Sequence, residues 1–427
     1  MIKRILIEKL FSRFNYDISI NQGITIITGP NGFGKSTILR IVNAISNGNI
    51  SYFRRLDFYT ITVEFDKADK ISIKKRNQQL YIDKYLVPDV SEKRLEYLEY
   101  RTRNPYIVKT SNGYYDRRSG ESFTEDEYYF NVLFDDNEYY INTLLGRQDR
   151  ETLSKIKNKL EHIRELCGDV RYISDQRLIR TQARRDEVQV IDVIGELPTK
   201  LTDEISKVVG KYSEVSNKLD SSYPKRLFSA KDGLKGQEEY SIRLEEANRK
   251  FEKLNEYNLV DISLIDEKVF DQSYSTALKI YFDDFAQKYK VFEDLISKLD
   301  LFTKIINSRL TFKRIRITRK NGFEIVDADN PDKVLELSQL SSGEKQEIVL
   351  FYDLIFGTKE NLLLLIDEPE ISLHIMWQKQ FLNDLMEVSK KNQLQVIVAT
   401  HSPQIISNHM DIQIDLGGLY NAELDKR

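Results

Sequence analysis

Gly29-Pro30-Asn31-Gly32-Phe33-Gly34-Lys35-Ser36-Thr37 decides how this chain is read. The run before it, Ile24-Thr25-Ile26-Ile27-Thr28, has β character. After it, Ile38, Leu39, Ile41, Val42 and Ile45 recur on one side of a helix expected from Ser36 to Ser46. Strand, glycine-rich turn and helix, in that order, is the setting of a phosphate-binding loop. The glycines let successive backbone N–H groups turn inward as an anion nest, and the helix start adds its positive end. Lys35 then reaches the β- and γ-phosphates, and the Ser36 hydroxyl offers a ligand to Mg2+. A glycine-rich turn before an ordinary helix is the plain alternative; the flanking strand and helix favour the phosphate loop.

Three later stretches belong with it. Leu340-Ser341-Ser342-Gly343-Glu344-Lys345-Gln346 precedes a helix expected from Ile348 to Phe356. Ser341 and the amides around Gly343 suit a γ-phosphate, although the same residues read equally as an N-cap with an acidic first turn. Leu362-Leu363-Leu364-Leu365-Ile366-Asp367-Glu368-Pro369 is a continuous apolar run, the pattern of a buried parallel strand. It ends in two carboxylates where open α/β sheets place ligands. Asp367 suits Mg2+, and Glu368 suits a general base acting on water. Gln395-Val396-Ile397-Val398-Ala399-Thr400 reads as another buried strand, ending in His401-Ser402-Pro403, so His401 is placed to bond a γ-phosphate.

Between these motifs, Ile2 to Thr28 reads as three strands. Alternation at Tyr59, Ile61, Val63 and Phe65, then Ile71 and Ile73, then Leu80-Tyr81-Ile82, indicates an antiparallel sheet. Tyr100 to Tyr140 is rich in tyrosine and acid. Its Arg101, Arg103, Arg117 and Arg118 suit base stacking, and a Tyr-rich surface insertion is the plainer reading. Helical stripes follow through Leu153–Cys167, Leu201–Leu219, Leu244–Leu254 and Leu278–Ile306, expected to pack as one helical subdomain. Thr311 to Asp327 is a hairpin with Asn321-Gly322 at its turn. Its Lys313, Arg314, Arg316, Arg319 and Lys320 form a local basic patch that suits a phosphate backbone or a solvated strand face.

With 427 residues, a sizeable core is expected. A net charge of −3 excludes a global basic field, and the single cysteine, Cys167, excludes an intrachain disulfide and fits a reducing compartment. The charged start and the short apolar runs argue against a signal peptide or a membrane span, so a cytoplasmic protein is expected.

Taken together, the motifs resemble the ATP-binding-cassette (ABC) ATPases. Gly29 to Thr37 is similar to the Walker A loop and Leu340 to Gln346 to the signature motif, with Ser342 in place of its first glycine. Leu362 to Glu368 is similar to Walker B with the catalytic glutamate, and His401 to the switch histidine. Asp-Glu-Pro-Glu-Ile-Ser-Leu-His, Asp367 to His374, resembles the RecF/OLD-like branch, related to SMC and Rad50 proteins, in which Ile371 to His374 is the D-loop. The general layout resembles stand-alone ATPase subunits of antiphage systems of the PARIS or Septu type.

The resemblance implies an α/β, ABC-type P-loop head with an antiparallel β subdomain and an inserted helical subdomain. The expected layout is an N-terminal lobe over 1–98, a mainly helical insertion over 99–310 and a C-terminal lobe over 311–427. It implies ATP and Mg2+ as cofactors and a Q-loop near 171–180, with Gln176 touching nucleotide and metal. It also implies a homodimer or higher homo-oligomer, in which the Ser341-Ser342-Gly343 turn of one copy completes the nucleotide site of the other.

The first function expected is an antiphage ATPase controlling a separately encoded effector, a nuclease. Only 26 residues follow His401 and the four histidines, at 162, 374, 401 and 409, form no nuclease constellation. The alternatives are a RecF- or Rad50-like DNA-repair ATPase binding DNA through the basic hairpin, a transporter ATPase, and a nucleotide-bound scaffold. The large insertion and the Glu370-to-His374 variant argue against a transporter, and intact Lys35, Ser36, Asp367 and Glu368 argue against an inert scaffold.

Overall fold

A computed structural model describes residues 1–88, 107–110, 113–116, 121–123, 145–173, 179–184, 187–260, 269–357, 362–406 and 409–424. They divide into two units, Met1–Ile191 with Thr358–Arg427, and Asp192–Gly357.

In the first unit, β1 (Ile2–Leu10) and β2 (Phe14–Ser19) pair antiparallel, followed by β3 (Ile24–Thr28), α1 (Lys35–Ser46) and the short α2 (Tyr52–Arg55). With β4 (Thr60–Phe65), β5 (Lys70–Arg76), β6 (Gln79–Ile82) and β7 (Tyr85–Leu86), the first two strands make a six-stranded antiparallel sheet, order β2-β1-β4-β5-β6-β7. The period-two alternation does what it should: Ile61, Val63 and Phe65 point inward from β4, and Ile5 and Ile7 from β1. Next along the chain come the three-stranded ribbon β8 (Ile107–Thr110), β9 (Gly113–Asp116) and β10 (Glu121–Phe123), then α3 (Arg147–Cys167) and β11 (Val170–Ile173). The paired β12 (Ile179–Arg184) and β13 (Glu187–Asp192) follow.

The second unit contains α4 (Val193–Ser229), α5 (Gln237–Glu256), α6 (Ser275–Lys290), α7 (Glu293–Asn307), a sheet of β14 (Lys313–Thr318), β15 (Gly322–Asp327) and β16 (Val334–Leu335), and α8 (Ser342–Ile355). α4 runs for 37 residues with Pro198 and Pro224 inside it; around Pro198, Leu197, Leu201 and Ile205 are buried, which outweighs local propensity there. The long apolar stripe from Leu278 to Ile306 is divided at Val291 into α6 and α7. Asn321-Gly322 turns the hairpin as expected. Gly322, at φ 66, brings the turn against α4, where a Cβ would meet the Pro198 carbonyl oxygen at 1.9 Å.

The chain then returns to the first unit with β17 (Leu363–Asp367), α9 (Ile375–Asn392), β18 (Gln395–Ala399), the short α10 (Pro403–Ile406), β19 (Gln413–Asp415) and α11 (Leu416–Leu424). A five-stranded sheet, order β11-β17-β18-β3-β19, is parallel throughout. β3, β17 and β18 are buried at every residue, the reason their sequences are unbroken apolar runs. Side chains of α1, α3 and both sheets share one core, so α1 is covered by the antiparallel sheet as well as by the parallel one. Gln395 ties the sheets together: it accepts from Ile2 N at 3.0 Å and donates to Ile2 O at 2.7 Å and Asn21 O at 3.0 Å. The expected α/β class holds, with a parallel sheet, an antiparallel sheet and a mainly helical segment between the two parts of the first unit. Among the described residues no helix is long and apolar enough to cross a membrane.

Candidate active site

The glycine-rich loop joins β3 to α1. Gly34, at φ 88, is the residue before the helix, and a Cβ there would stand 3.0 Å from Leu10 Cδ2. A side chain at this point would therefore be strained and crowded. α1 has no side-chain cap and no acid in its first turn, so its leading N–H groups face no carboxylate of their own. Lys35 is buried, and its Nζ donates to Gly29 O at 2.9 Å, inside the loop.

The parallel sheet brings the other half of the site to this loop. β17 lies beside β18, which lies beside β3, and all three end on the same side. Asp367, the last residue of β17, accepts from Ser36 Oγ at 2.8 Å through Oδ1 and from Tyr172 OH at 2.7 Å through Oδ2. Burial, then the bond to Asp367, push the Tyr172 phenol up, which keeps it a donor. Arg40, one turn beyond Ser36 on α1, interacts with both Tyr172 and Asp367. Ser36 and Asp367 thus present hard oxygen donors side by side, a set that fits Mg2+.

Glu368 follows in the left-handed region, at φ 44 and ψ 57. Pro369 disfavours the right-handed helical region for the residue before it. The backbone is held by Glu368 N donating to Ala399 O at 2.9 Å. A non-glycine residue in this region is costly, and such strain concentrates at functional positions. The turn carries the Glu368 carboxylate to 3.8 Å from Lys35 Nζ and against His401 Nδ1. Burial pushes the Glu368 carboxyl up; the bond from His401 opposes this and the neighbouring Glu370 charge adds to it.

The structure therefore brings together Lys35, Ser36, Asp367, Glu368 and His401. Ser341, Ser342 and Gly343 lie in the second unit at the start of α8. There Ser341 is an N-cap: its Oγ accepts from Glu344 N at 3.3 Å, and Glu344 Oε2 accepts from Ser341 N at 2.7 Å. The capping geometry left open for this turn is present. Glu344 also pairs with Lys313 at 2.9 Å. In the basic hairpin, Arg314 donates to Leu310 O at 2.7 Å, Arg316 pairs with Glu324 at 2.9 Å and Arg319 donates to Leu259 O at 3.5 Å, so with Lys313 four of its five cations are engaged within the unit. Gln176, Arg101, Arg103, Arg117 and Arg118 lie outside the described residues, as does the Tyr-rich stretch apart from the backbone of β8–β10.

Sequence reasoning missed Tyr172, Arg40 and Glu370. Tyr172 reaches Asp367 only because β11 is the parallel neighbour of β17, with Tyr172 opposite Leu365. Glu370 stood in plain view as the third acid of Asp367-Glu368-Pro369-Glu370, but nothing in the order of residues showed it to be buried.

The family described as AAA ATPase domain matches residues 1–406. Two probable iron chelatin transport ATP-binding proteins, from two strains of Helicobacter pylori, are each 33% identical over 73 residues, 17% of this chain. The match spans only 28% of those relatives' length. Among solved structures, the SmcHead bound to the C-winged helix domain of ScpA has 13% identity and a TM-score of 0.40, covering 97% of this chain and 94% of that one. The Smc head domain with an extended coiled coil, bound to the C-terminal domain of ScpA derived from Pyrococcus furiosus, has 13% identity and a TM-score of 0.38, covering 97% and 92%. The SMC head domain from Thermotoga maritima has 13% identity and a TM-score of 0.32, covering 96% and 92%.

Proposed function

The chain belongs to the AAA ATPase domain family over residues 1–406, and on that premise we propose that it binds ATP with Mg2+ and hydrolyses it. The observation that carries the reading is the meeting of two motifs from opposite ends of the chain, with Lys35 Nζ 3.8 Å from Glu368 Oε1 and Ser36 Oγ 2.8 Å from Asp367 Oδ1. The loop from Gly29 to Thr37 takes the phosphates on its amides, and Lys35 takes the outer ones. Ser36 and Asp367 hold Mg2+, which when bound neutralises charge on the phosphate oxygens. Glu368 accepts a proton from the attacking water, and His401 contacts the γ-phosphate.

In the same reading two copies close on ATP, each supplying Ser341, Ser342 and Gly343 to the other's nucleotide. Ile371, Ile375 and Met376, which stand exposed beside the D-loop segment, fit a surface that meets a second copy. Closure and release then drive a separately encoded effector, a nuclease, in antiphage defence in the cytoplasm. That step rests on the resemblance of the Asp367 to His374 motif and of the general layout.

Two variants test the core of it. Lys35→Ala is expected to abolish ATP binding in a filter or calorimetric assay. Glu368→Gln is expected to bind ATP, fail to turn it over and run as a dimer in light scattering with ATP. Turnover of Glu368→Gln at the wild-type rate would refute the assignment of the base.

A further inference from the structure

We propose that Glu370 is a positioning residue of the hydrolytic site, whose carboxylate fixes residues 400–402, and with them the His401 ring, beside Glu368. This deepens the ATPase reading and rests on it.

Glu370 lies in the short turn Pro369–Ser372 that follows β17, and it is only 7% exposed. One of its oxygens, Oε1, gathers the whole start of the loop after β18. It accepts from Thr400 Oγ1 at 2.6 Å, His401 N at 2.7 Å and Ser402 N at 3.1 Å, and stands 3.0 Å from His401 Nδ1. Among the described residues no lysine or arginine pairs with it, so the burial of this carboxylate is compensated by the loop itself. Its other oxygen, Oε2, is buried without a hydrogen-bond partner among the described residues. A half-satisfied buried carboxylate is a poor way to stabilise a fold, and what it supplies instead is orientation.

The far side of the loop is closed by Gln378 on α9. Its Oε1 accepts from Ser402 Oγ at 2.7 Å, and its Nε2 donates to Leu373 O at 3.0 Å. The turn after Glu368 and the loop bearing His401 are therefore tied at two places. The His401 ring, by contrast, is 51% exposed, and what holds it are the carboxylates of Glu368 and Glu370 at Nδ1 and the backbone bond to Glu370. With the Glu370 acceptor removed, the amide of His401 loses its partner, that of Ser402 keeps only Thr400 Oγ1 at 3.0 Å, and the ring loses one of its two carboxylates.

The test uses the full chain with Glu370→Ala and Glu370→Gln, alone and combined with His401→Ala. It reads ATP affinity, kcat and hydrogen exchange of residues 400–402. Glu370→Ala is expected to lower kcat by about tenfold or more while ATP affinity stays within about twofold, the split expected when only transition-state geometry is lost. Exchange at His401 and Ser402 speeds up. Glu370→Gln keeps an acceptor at Oε1 and regains most of the protection and the rate. In the His401→Ala background, Glu370→Ala costs nothing further in kcat, because the two residues act as one unit. Full multiplication of the two losses, or unchanged exchange at residues 400–402, would overturn the proposal. Should the alanine variant not fold, Glu370→Asp, one methylene short, takes its place: faster exchange with lower kcat upholds the proposal, and wild-type values of both refute it. A wild-type protein without turnover would sink the ATPase reading, while the exchange data would still report on Glu370.

Discussion

Ser36 Oγ donates to Asp367 Oδ1 at 2.8 Å, joining residues 331 positions apart in the chain. The bond places the first hydroxyl of the P-loop helix on the tip of the central strand β17. Asp367→Asn keeps the shape and removes the charge. It is expected to leave ATP binding without Mg2+ intact and to lower Mg2+-dependent hydrolysis by about a hundredfold or more, the scale of several kcal/mol of charge stabilisation. Calorimetry in EDTA and a phosphate-release assay in Mg2+ separate the two.

Tyr172 holds the other oxygen of the same carboxylate at 2.7 Å. Tyr172→Phe removes that bond together with the one from Arg40 to the phenol oxygen, and keeps the ring. A hydrogen bond to a charged group contributes about 1.5–3 kcal/mol, so the Mg2+ concentration for half-maximal ATP hydrolysis is expected to rise by about tenfold or more. Mn2+ binding followed by electron paramagnetic resonance should weaken in step. An unchanged metal affinity would mean that Asp367 is oriented by Ser36 and Arg40 without Tyr172.

Glu368 carries a pH signature. Its carboxyl is raised above the ordinary 4.5 by burial in the folded state. A base must be ionised, so hydrolysis should fall on acidification with a midpoint above 4.5, not at it. For stability the sign is the reverse of the usual salt-bridged acid. The folded state holds the proton more tightly than the unfolded chain, so stability falls as pH rises from 4.5 through the raised value. Glu368→Gln removes that loss and should melt at or above the wild-type temperature at pH 7, as read by calorimetry without nucleotide.

In the second unit, Arg309 and Glu347 form a buried ion pair, their side chains 1% and 3% exposed, and the Arg309 guanidinium lies 4.3 Å from the centre of the Phe351 ring. Removing one partner strands the other charge. Glu347→Ala is expected to destabilise the unit by about 3 kcal/mol or more in urea unfolding, whereas replacing both with apolar residues of similar volume restores most of the loss. The pair anchors α8, which begins at the Ser341 cap, to the end of α7.

The glycine-rich half of the candidate site was legible in the sequence because it is local. A strand, its Gly-rich turn and the following helix lie within Ile24 to Ser46, and the apolar runs ending in Asp367-Glu368 and His401 announce buried strands whose tips carry polar residues. Burial on both faces imposes that pattern, so the pattern can be read back. The antiparallel sheet and the Asn321-Gly322 hairpin were legible for the same kind of reason, a period of two and a turn that only certain residues make.

What the order of residues could not determine is which strands lie side by side. Tyr172 meets Asp367 because β11 pairs with β17, and Glu370 meets Thr400, His401 and Ser402 because β17 pairs with β18. Parallel pairing is set by the packing of distant segments around α1, and it leaves no mark on any one of them. The same holds for Ser341, whose side chain is a cap in this fold, a role its sequence shares with phosphate binding. Sequence alone determined the glycine-rich loop and the buried strands with polar tips; tertiary structure decided which side chains meet there, because neighbours across a sheet are not neighbours along the chain.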